Sequence, residues 1–467
     1  MAESAVENAL LGAWRTTLAR CGPRPGVLAA SGEVLRTFAD IEAEVETLTR
    51  SFGDTPARSV VAVQLGNSPR WPAVLLALFR RTLVPLPLGR HMERAELDLA
   101  LATCGAAGLL ECTGDDCVLR AVDGSAPAVW SGPAPDFLKL TSGTTSAPRA
   151  VRFRAHQLVA DCDHICDTMG ITERDLNYGA IPFSHSYGFS NLLTPLLCRG
   201  VPLVATEDRM PRAILDGLAR TRATVFPGMP VFFQKFAEME NTPALPALRL
   251  CISAGAPLPP APAERFTARF GVKIHTFYGS SECGGIGYDA SEEPLYEEGY
   301  VGTAMHGVRI GRESDEPGPI AIRGAAVGDG YFPEDDPSLA DGRFIPGDLI
   351  RWTPRGMFLA GRTSDIINIA GRKLNPLELE ARLAECPGVR QAVVFGVLAE
   401  LRGEEPVVCV AGEGLTREAV LRFCHQRLSA WQVPRAVWIV ADIPVNERGK
   451  ISRRALAQQY LARTASL

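Results

Sequence analysis

The chain has 467 residues, more than one hydrophobic core usually organises, so we expect at least two domains. Hydrophobic residues make up 46% and charged residues 22% of it, a composition typical of an ordinary globular protein. The formal net charge of −5 gives no electrostatic reason to expect a nucleic acid or an anionic membrane as a partner.

Three features of the sequence bear on location. The longest apolar run, residues 71–79, is too short to span a bilayer and has arginines on both sides, so we predict a buried helix there. The first residues carry an acid, Glu3, where a secretory signal carries base, which makes the cytoplasm the expected location. Twelve cysteines are scattered without C-x-x-C spacing, so we expect a reducing compartment and neither structural zinc nor a disulfide framework.

Apolar strands alternate with amphipathic helices through most of the first 280 residues, a pattern typical of α/β architecture. We predict a helix over 72–81 between two strands, and three later strands that each lead into glycine or hydroxyl residues. The predicted strands are 60–65, 83–88, 223–226, 248–253 and 272–277. Ligands of open α/β sheets collect outside the carboxyl ends of strands, so the segments after the last three are expected to face one crevice.

Turn-rich segments over 313–319 and 335–348 interrupt this rhythm, and a shorter α+β unit follows them. Its predicted elements are a helix over 376–384, strands over 389–397 and 406–411, a helix over 417–428 and a strand over 436–440. The fold class predicted from this order is α/β, with a large N-terminal domain of α/β subdomains, residues 1–361, and a smaller domain, residues 362–467.

The stretch 141–149 places hydroxyls, a glycine and one cation in a single loop after the mostly apolar run 136–140, which we predict to be a strand that leads into the loop. Backbone N–H groups and hydroxyls of such a loop can converge on an anion. The G-x-x-x-x-G-K-[ST] loop of P-loop NTPases is absent, and a Ser/Thr/Gly loop alone is often only a polar turn. A second signal, a lysine behind a glycine turn in 445–451, is by itself typical of a solvated side chain.

Taken together and in order, the motifs of nearly the whole chain resemble those of the adenylate-forming superfamily, which contains acyl-CoA synthetases, aryl-acid ligases and adenylation domains of nonribosomal peptide synthetases. The matching stretches are 141–149 for the phosphate loop, 182–188 for the acyl pocket, 253–258 and 278–282 for adenine and magnesium, 347–349 for ribose, 361–371 for the hinge and 444–450 for the catalytic lysine. The chain departs from the family at Arg149, where lysine is usual, and at Ser364, where aspartate or lysine is common.

The resemblance implies that ATP converts a carboxylic acid to acyl-AMP, and that a thiol then takes the acyl group. A carboxylate is a poor acyl donor because its oxygen is a bad leaving group, so it must first attack the α-phosphate of ATP. The resemblance assigns Mg²⁺ binding to Glu282 and gives catalytic roles to Lys450, Glu282 and Thr145. The implied cofactors are ATP, Mg²⁺ and CoA, or the phosphopantetheine of a carrier protein in place of CoA.

Nucleotide contacts are implied for the phosphate loop, the adenine and ribose motifs and the hinge. They are Thr141, Ser142, Gly143, Thr144, Arg149, Ala254, Gly255, Ala256, Tyr278, Gly279, Ser281, Asp348 and Arg362. Tyr278 is expected to stack on adenine and Asp348 to accept both ribose hydroxyls. The smaller domain is expected to be mobile, swinging about the hinge between the two half-reactions and presenting Gly371 to the thiol arm.

The predicted acyl pocket combines aromatic and small groups with no acid placed to pair an amino group, so a neutral organic acid, aryl or medium acyl, is favoured. Its residues are His185, Tyr187, Phe226, Gly228 and Met229. Three functions remain open: a carboxylate–CoA ligase, a ligase that loads an acyl- or peptidyl-carrier protein, and a nucleotide-binding protein without turnover. The departures at Arg149 and Ser364 raise the third function, and the presence of Glu282 and Lys450 counts against it.

Overall fold

The structure is a computed structural model, which describes residues 8–53, 55–113, 116–122, 126–130, 132–141, 148–312, 317–369, 372–399, 403–445 and 451–464. The chain divides into two compact units, one of Met1–Gly311 with Ala321–Ile345 and one of Arg312–Ile320 with Pro346–Leu467. A large and a small unit were expected. The predicted domain boundary, between residues 361 and 362, lies within the predicted hinge 361–371 and stays a prediction.

Helices and strands alternate along much of the larger unit, and the last three described helices belong to the smaller unit. The helices are α1 (Ala9–Cys21), α2 (Phe38–Ser51), α3 (Trp71–Arg80), α4 (Arg94–Thr103), α5 (Ala155–Met169), α6 (Ser186–Gly188), α7 (Thr194–Arg199), α8 (Pro211–Thr221), α9 (Pro230–Glu238), α10 (Pro260–Phe270), α11 (Pro376–Leu383), α12 (Arg417–Arg427) and α13 (Arg453–Thr464). A π-helical turn (Phe189–Leu193) joins α6 to α7, and a 3-10 turn covers Thr363–Asp365.

The strands are β1 (Pro25–Ala29), β2 (Val34–Thr37), β3 (Val60–Gln64), β4 (Val84–Pro87), β5 (Ala106–Thr113), β6 (Asp116–Ala121), β7 (Phe137–Thr141), β8 (Arg149–Phe153), β9 (Asn177–Gly179), β10 (Leu203–Ala205), β11 (Val225–Gly228), β12 (Leu250–Ser253), β13 (Ile274–Ser280), β14 (Gly284–Tyr288), β15 (Tyr300–Ala304), β16 (Arg309–Arg312), β17 (Gly318–Arg323), β18 (Gly330–Phe332), β19 (Leu339–Ala340), β20 (Arg343–Phe344), β21 (Asp348–Thr353), β22 (Gly356–Arg362), β23 (Ile367–Ile369), β24 (Arg372–Leu374), β25 (Val389–Ala399), β26 (Gly403–Gly412) and β27 (Ala436–Val440).

The main sheet of the larger unit has the order β2–β1–β10–β9–β11–β12–β13–β14–β15. From β1 to β13 the neighbours are parallel, and Gly228, Ser253 and Thr276 lie side by side in register. Parallel strands of this kind are covered on both faces and are therefore apolar throughout. The three predicted strands are confirmed, each starting two residues later than expected, and their carboxyl ends share one edge of the sheet.

A second sheet, in the order β4–β3–β5–β6, carries the predicted buried helix. Pro72 stands in the first turn of α3, where its missing N–H leaves no hydrogen bond unmade, and every residue from Trp71 to Phe79 is buried. Each fully buried valine or leucine of this layer contributes about 1.5–3 kcal/mol to folding. The helix prediction is confirmed. Among the helices that the structure describes, none has the length and apolarity needed to cross a membrane.

The smaller unit is built on the five strands β23–β27, with helices on both faces of the sheet. Leu379 of α11 and Val420 of α12 pack with Val394 and Val408 on one face. Leu456 of α13 packs on the other face, in a cluster that includes Phe395 and Cys409. All five elements predicted here are confirmed to within two residues at most ends, although the two long strands extend further than expected.

The expectation that the cysteines form no disulfide framework is wrong for one pair. Cys112 and Cys117 stand opposite each other in the antiparallel β5–β6 pair and form a disulfide. Residues that stand opposite each other in a hairpin lie close together even when their spacing does not match C-x-x-C. The spacing of Cys112 and Cys117 therefore does not indicate their pairing. The ten other cysteines are free thiols.

A buried carboxylate ties the main sheet to α5. Asp161, 3% exposed, accepts the N–H of Gly285 at 3.0 Å and the hydroxyl of Ser190 at 2.6 Å. Gly284 has a φ of +69°, and a Cβ at this position would collide with the Asp161 carboxylate. The turn between β13 and β14 therefore requires glycine for its backbone conformation and for space.

Replacing Gly284 by alanine should lower the free energy of unfolding by about 2–4 kcal/mol, because the left-handed backbone disfavours alanine and the buried carboxylate must move. Gly271 is the matched control, since it has a φ of +70° and a Cβ added to it would meet no heavy atom within 4 Å. Gly271→Ala should lose only about 1 kcal/mol. Urea unfolding of both variants measures the difference, and equal losses would show that Asp161 does not confine the turn.

Candidate active site

The predicted phosphate loop is flanked by the antiparallel strands β7 and β8. Thr141 and Arg149 face each other at the ends of these strands, and the Thr141 hydroxyl donates to the Arg149 carbonyl at 2.9 Å. The strand predicted to lead into the loop is thus confirmed. Ser142, Gly143, Thr144 and Thr145 lie outside the described residues, so their phosphate contacts stay predictions.

The turn after β13 carries Glu282, the predicted Mg²⁺ ligand. Its N–H donates to the Ser280 hydroxyl at 3.3 Å, and its carbonyl accepts the N–H of Gly328 at 2.9 Å. Ser281, next to it, accepts the Ser186 hydroxyl at 2.9 Å, which joins the magnesium motif to the start of α6. The predicted magnesium motif and the predicted acyl-pocket motif are therefore in contact.

Tyr331, which belongs to none of the predicted motifs, links Glu282 to Arg149. The Tyr331 hydroxyl donates to Glu282 Oε1 at 3.0 Å, and the Arg149 guanidinium lies 3.7 Å from the centroid of the Tyr331 ring. Arg149 also pairs with Asp336, Nη1 to Oδ2, at 2.9 Å. Burial raises the pKa of Tyr331 well above its ordinary value, and the Glu282 carboxylate adds to the rise, so the hydroxyl remains a donor.

Mg²⁺ in nucleotide sites is typically held by one or two carboxylates together with the phosphates of the substrate. Glu282 fits this requirement, because it lies on a fixed turn, is partly exposed, and has one oxygen held by Tyr331. The side chain is thus oriented before any ion arrives.

The predicted adenine segment follows β12 at the shared edge of the main sheet. The Ala254 N–H donates to the Gly228 carbonyl at 3.2 Å, which fixes the first residue of the segment beside the end of β11. Gly255 has a φ of +89° with open space around it. A Cβ on Gly279 would come within 2.7 Å of the Gly284 carbonyl, so this position also requires glycine. Ala256 and Tyr278 are partly exposed at the same edge.

Tyr187 bridges the ends of two strands. Its hydroxyl donates to the Ile252 carbonyl at 3.0 Å and lies 3.4 Å from the Gly228 carbonyl, while its ring is 5.7 Å from that of Phe277. Burial raises the pKa of Tyr187 well above its ordinary value. The hydroxyl is therefore occupied by main-chain acceptors, and the residue offers its surroundings a neutral aromatic ring.

The other predicted pocket residues are placed differently. His185 precedes α6 and is partly exposed, as is Met229 after β11. Phe226 is fully buried, with its ring 5.5 Å from Phe233 and 5.7 Å from Phe236. The structure thus brings Tyr187, Gly228 and Met229 to one edge and places Phe226 in the aromatic core behind it. Contact of any of these residues with an acid stays a prediction.

The ribose motif and the hinge meet within the smaller unit. Asp348 and Arg362 are opposite each other in the β21–β22 pair, and Arg362 Nε lies 2.7 Å from Asp348 Oδ1. Asp348 is 4% exposed, whereas the Arg362 side chain is largely in solvent. Two residues that were assigned to the nucleotide from separate motifs are therefore partners in a hairpin.

Arg453, the first residue of α13, joins three parts of the smaller unit. Its guanidinium binds Asp365 at 2.9 Å and Glu380 at 2.8 Å, and its Nε donates to the Val394 carbonyl at 3.0 Å. Asp365 belongs to the 3-10 turn that contains Ser364. The predicted hinge and the start of α13 are thus bound to one another. Gly371 and Lys450 lie outside the described residues.

Sequence reasoning misses Asp161, Tyr331 and Asp336. Asp161 is one polar residue inside an amphipathic helix, Tyr331 lies in the short strand β18 outside every predicted motif, and Asp336 lies in the turn-rich segment 335–348. Asp336 and Arg149 are 187 residues apart, so no local pattern connects them. One signal in the sequence could have indicated that Arg149 pairs with Asp336. Three aspartates lie in 329–336 and three arginines lie in 149–154.

Two family models match the chain, one for each part of it. The model described as AMP-binding enzyme covers residues 21–332, and the model described as AMP-binding enzyme C-terminal domain covers residues 378–450. The first spans about two thirds of the chain, and both lie in the order that the motifs predict.

Relatives with established names match over nearly the full length. The oxalate–CoA ligase of Arabidopsis thaliana is 28% identical over 499 residues, which cover 94% of this chain and 96% of that protein. The feruloyl-CoA synthase of an Amycolatopsis species is 27% identical over 496 residues, which cover 97% of this chain and all of that protein.

Solved structures share the fold. The crystal structure of ATP-bound MatB from Rhodopseudomonas palustris superposes with a TM-score of 0.83 at 22% identity, over 96% of this chain and 98% of that one. At this identity the likeness shows the fold alone, and it confirms the predicted class. Together with the family models, these matches establish that the chain belongs to the AMP-binding enzyme family, a family of AMP-forming acid–thiol ligases within the adenylate-forming superfamily.

Proposed function

We propose that the chain activates a neutral carboxylic acid with ATP, forming acyl-AMP and pyrophosphate, and then transfers the acyl group to the thiol of CoA. One observation carries the proposal. Both family models match this chain in order, and the two full-length relatives are named as a CoA ligase and a CoA synthase. The acid attacks the α-phosphate, and the thiol later displaces AMP.

The first half-reaction brings a carboxylate against a triphosphate, so the site must offset negative charge. We assign this to the hydroxyls and N–H groups of Thr141, Ser142, Gly143, Thr144 and Thr145, and to Glu282 as the ligand of Mg²⁺. When bound, Mg²⁺ supplies positive charge against the phosphate oxygens. Glu282 contributes a carboxylate whose orientation is set by Tyr331.

The nucleoside is assigned to the edge of the main sheet and to the ribose motif. Tyr278 would stack on adenine beside Ala254, Gly255 and Ala256, whose small side chains allow close approach. Gly279 and Ser281, at the same edge, are also assigned to contacts with the nucleotide. Asp348, buried and paired with Arg362, would accept the ribose hydroxyls in charge-assisted hydrogen bonds.

The acid is proposed to be aryl or medium acyl. Tyr187 supports this choice, because its hydroxyl is occupied by two main-chain carbonyls and the remaining surface is an aromatic ring. His185, Phe226, Gly228 and Met229 complete the assigned pocket. The two full-length relatives are named for oxalate and ferulate, which differ in size and charge, so the names alone do not select the acid.

Lys450 is proposed to bridge the incoming carboxylate and the α-phosphate, and Gly371 to line the path of the thiol arm. The acceptor could alternatively be the phosphopantetheine of a carrier protein, because that arm ends in the same thiol. CoA is favoured because the named relatives are CoA ligases and synthases.

Acid-dependent exchange of labelled pyrophosphate into ATP should occur with a panel of acids and should be strongest for aryl or medium-chain acids. Acyl-CoA should accumulate when CoA is added to the best acid. Exchange without thioester on CoA, but with acyl transfer to a phosphopantetheinylated carrier, would select the carrier-loading alternative. Nucleotide binding with no exchange for any acid would reduce the protein to a binding role.

Asp348→Asn should raise the KM for ATP by roughly 10-fold or more and change the KM for the acid much less, because a charged acceptor of the ribose is lost. Steady-state pyrophosphate exchange measures both constants. Asp442→Asn is the control, since Asp442 forms an equally short ion pair with Arg390, 2.7 Å, at the surface of the same unit. An unchanged ATP dependence in Asp348→Asn would remove Asp348 from the site.

Lys450→Ala should slow acyl-AMP formation by roughly 10²–10⁴-fold, because the charge between carboxylate and α-phosphate is lost in the transition state. Thioester formation from supplied acyl-AMP should persist and serves as the internal control. Rapid-quench assays of the two half-reactions separate these effects. Equal loss of both half-reactions would contradict the assigned role.

A further inference from the structure

Glu282 is held from two sides by one short segment of the chain. Gly328 donates its N–H to the Glu282 carbonyl at 2.9 Å, and Tyr331, three residues later, donates its hydroxyl to Glu282 Oε1 at 3.0 Å. Tyr331 is only 2% exposed, and its backbone is paired with Val151 in the β18–β8 ladder. The phenol therefore has a fixed position, and so has the carboxylate that it binds.

Among the described residues, the Arg149 guanidinium contacts two partners. It lies over the Tyr331 ring at 3.7 Å and pairs with Asp336 at 2.9 Å. Asp336 itself accepts the N–H of Ser338 at 2.8 Å, and the hydrogen bonds from Ser338 and the Arg149 charge hold its pKa below the usual range. Asp336 is thus a fixed anion that keeps Arg149 against the ring.

This arrangement is poorly explained by stability alone. The Arg149 and Asp336 side chains are 35% and 36% exposed, and ion pairs with this exposure contribute little to folding. A cation over the face of a phenol draws electron density from the ring and strengthens its hydroxyl as a donor. The acceptor of that hydroxyl is the Glu282 carboxylate, so the charge of Arg149 acts on Glu282 through Tyr331.

We propose that Tyr331 and Arg149 are positioning residues for Mg²⁺: Tyr331 fixes one oxygen of Glu282 and leaves the other for the ion, and Arg149 acts through the Tyr331 ring instead of binding a phosphate oxygen. The inference rests on the proposed function, in which Glu282 holds Mg²⁺ beside ATP. It replaces the direct phosphate contact that the family resemblance implies for Arg149.

The test compares Tyr331→Phe, Arg149→Met and the double variant. Tyr331→Phe retains the ring and removes only the hydroxyl. With the acid that gives the fastest exchange, the Mg²⁺ concentration for half-maximal pyrophosphate exchange should rise roughly 10-fold in Tyr331→Phe and about 5-fold in Arg149→Met. The double variant should stay within about 2-fold of Tyr331→Phe, because both residues act along one path.

A second readout is independent of turnover. Titration of Mn²⁺ in the presence of a nonhydrolysable ATP analogue, followed by the electron paramagnetic resonance signal of free Mn²⁺, should show weaker ion binding by similar factors in the same variants. Arg152→Met is the matched control, because Arg152 lies on the same strand and pairs with Asp335, the neighbour of Asp336. Its Mg²⁺ and Mn²⁺ curves should superpose on those of the unmodified protein.

Two results would overturn the inference. One is a Tyr331→Phe protein whose Mg²⁺ and Mn²⁺ curves match the unmodified protein. The other is an Arg149→Met protein in which the KM for ATP rises equally at every Mg²⁺ concentration, since this is the signature of a direct phosphate ligand. Failure of the proposed function is distinguishable from both, because the unmodified protein would then show no acid-dependent exchange at all, and the basis of the inference would be gone.

Discussion

The buried carboxylate of Asp161 is the constraint on which the candidate site depends. It lies on α5, beneath the main sheet, and binds both the Gly285 N–H and the Ser190 hydroxyl. The first contact fixes the turn that carries Glu282, and the second fixes the π-helical turn that follows Tyr187. A carboxylate that is 3% exposed is tolerated because both of its oxygens have donors. One buried charge thus links the turn that carries the predicted ion ligand to the helical turn that follows Tyr187 of the predicted acyl pocket.

Within each unit, predicted site residues already have protein partners. Tyr187 binds carbonyls of β11 and of β12, and Asp348 is paired with Arg362. Such partners restrict the motion of a side chain, so less ordering would remain to be done on binding a ligand. If Asp348 binds ribose hydroxyls as proposed, Arg362, which is largely in solvent, must share or release its carboxylate.

The sequence predicts the elements of the fold well, because most are defined by local periodicity. The apolar run 71–79 becomes a fully buried helix, and the strands predicted over 223–226, 248–253 and 272–277 end at a common edge. Family order then assigns residues to chemical roles. Contacts between distant segments escape this reasoning. Arg149 looks like a phosphate ligand in the sequence, and only the fold shows Tyr331 and Asp336 beside it. The Cys112–Cys117 bridge depends on hairpin register, which composition does not reveal.

Arg453, whose contacts fix the start of α13, is close in sequence to Lys450. The guanidinium fixes the first residue of α13 to Asp365, Glu380 and the edge of β25. Lys450 is three residues before that fixed point, and a fully extended chain spans at most about 3.3–3.6 Å per residue. A residue three positions from a fixed point in a chain can lie at most roughly 11 Å from it, Cα to Cα. Any catalytic role that moves Lys450 further than this would require α13 and its partners to move with it.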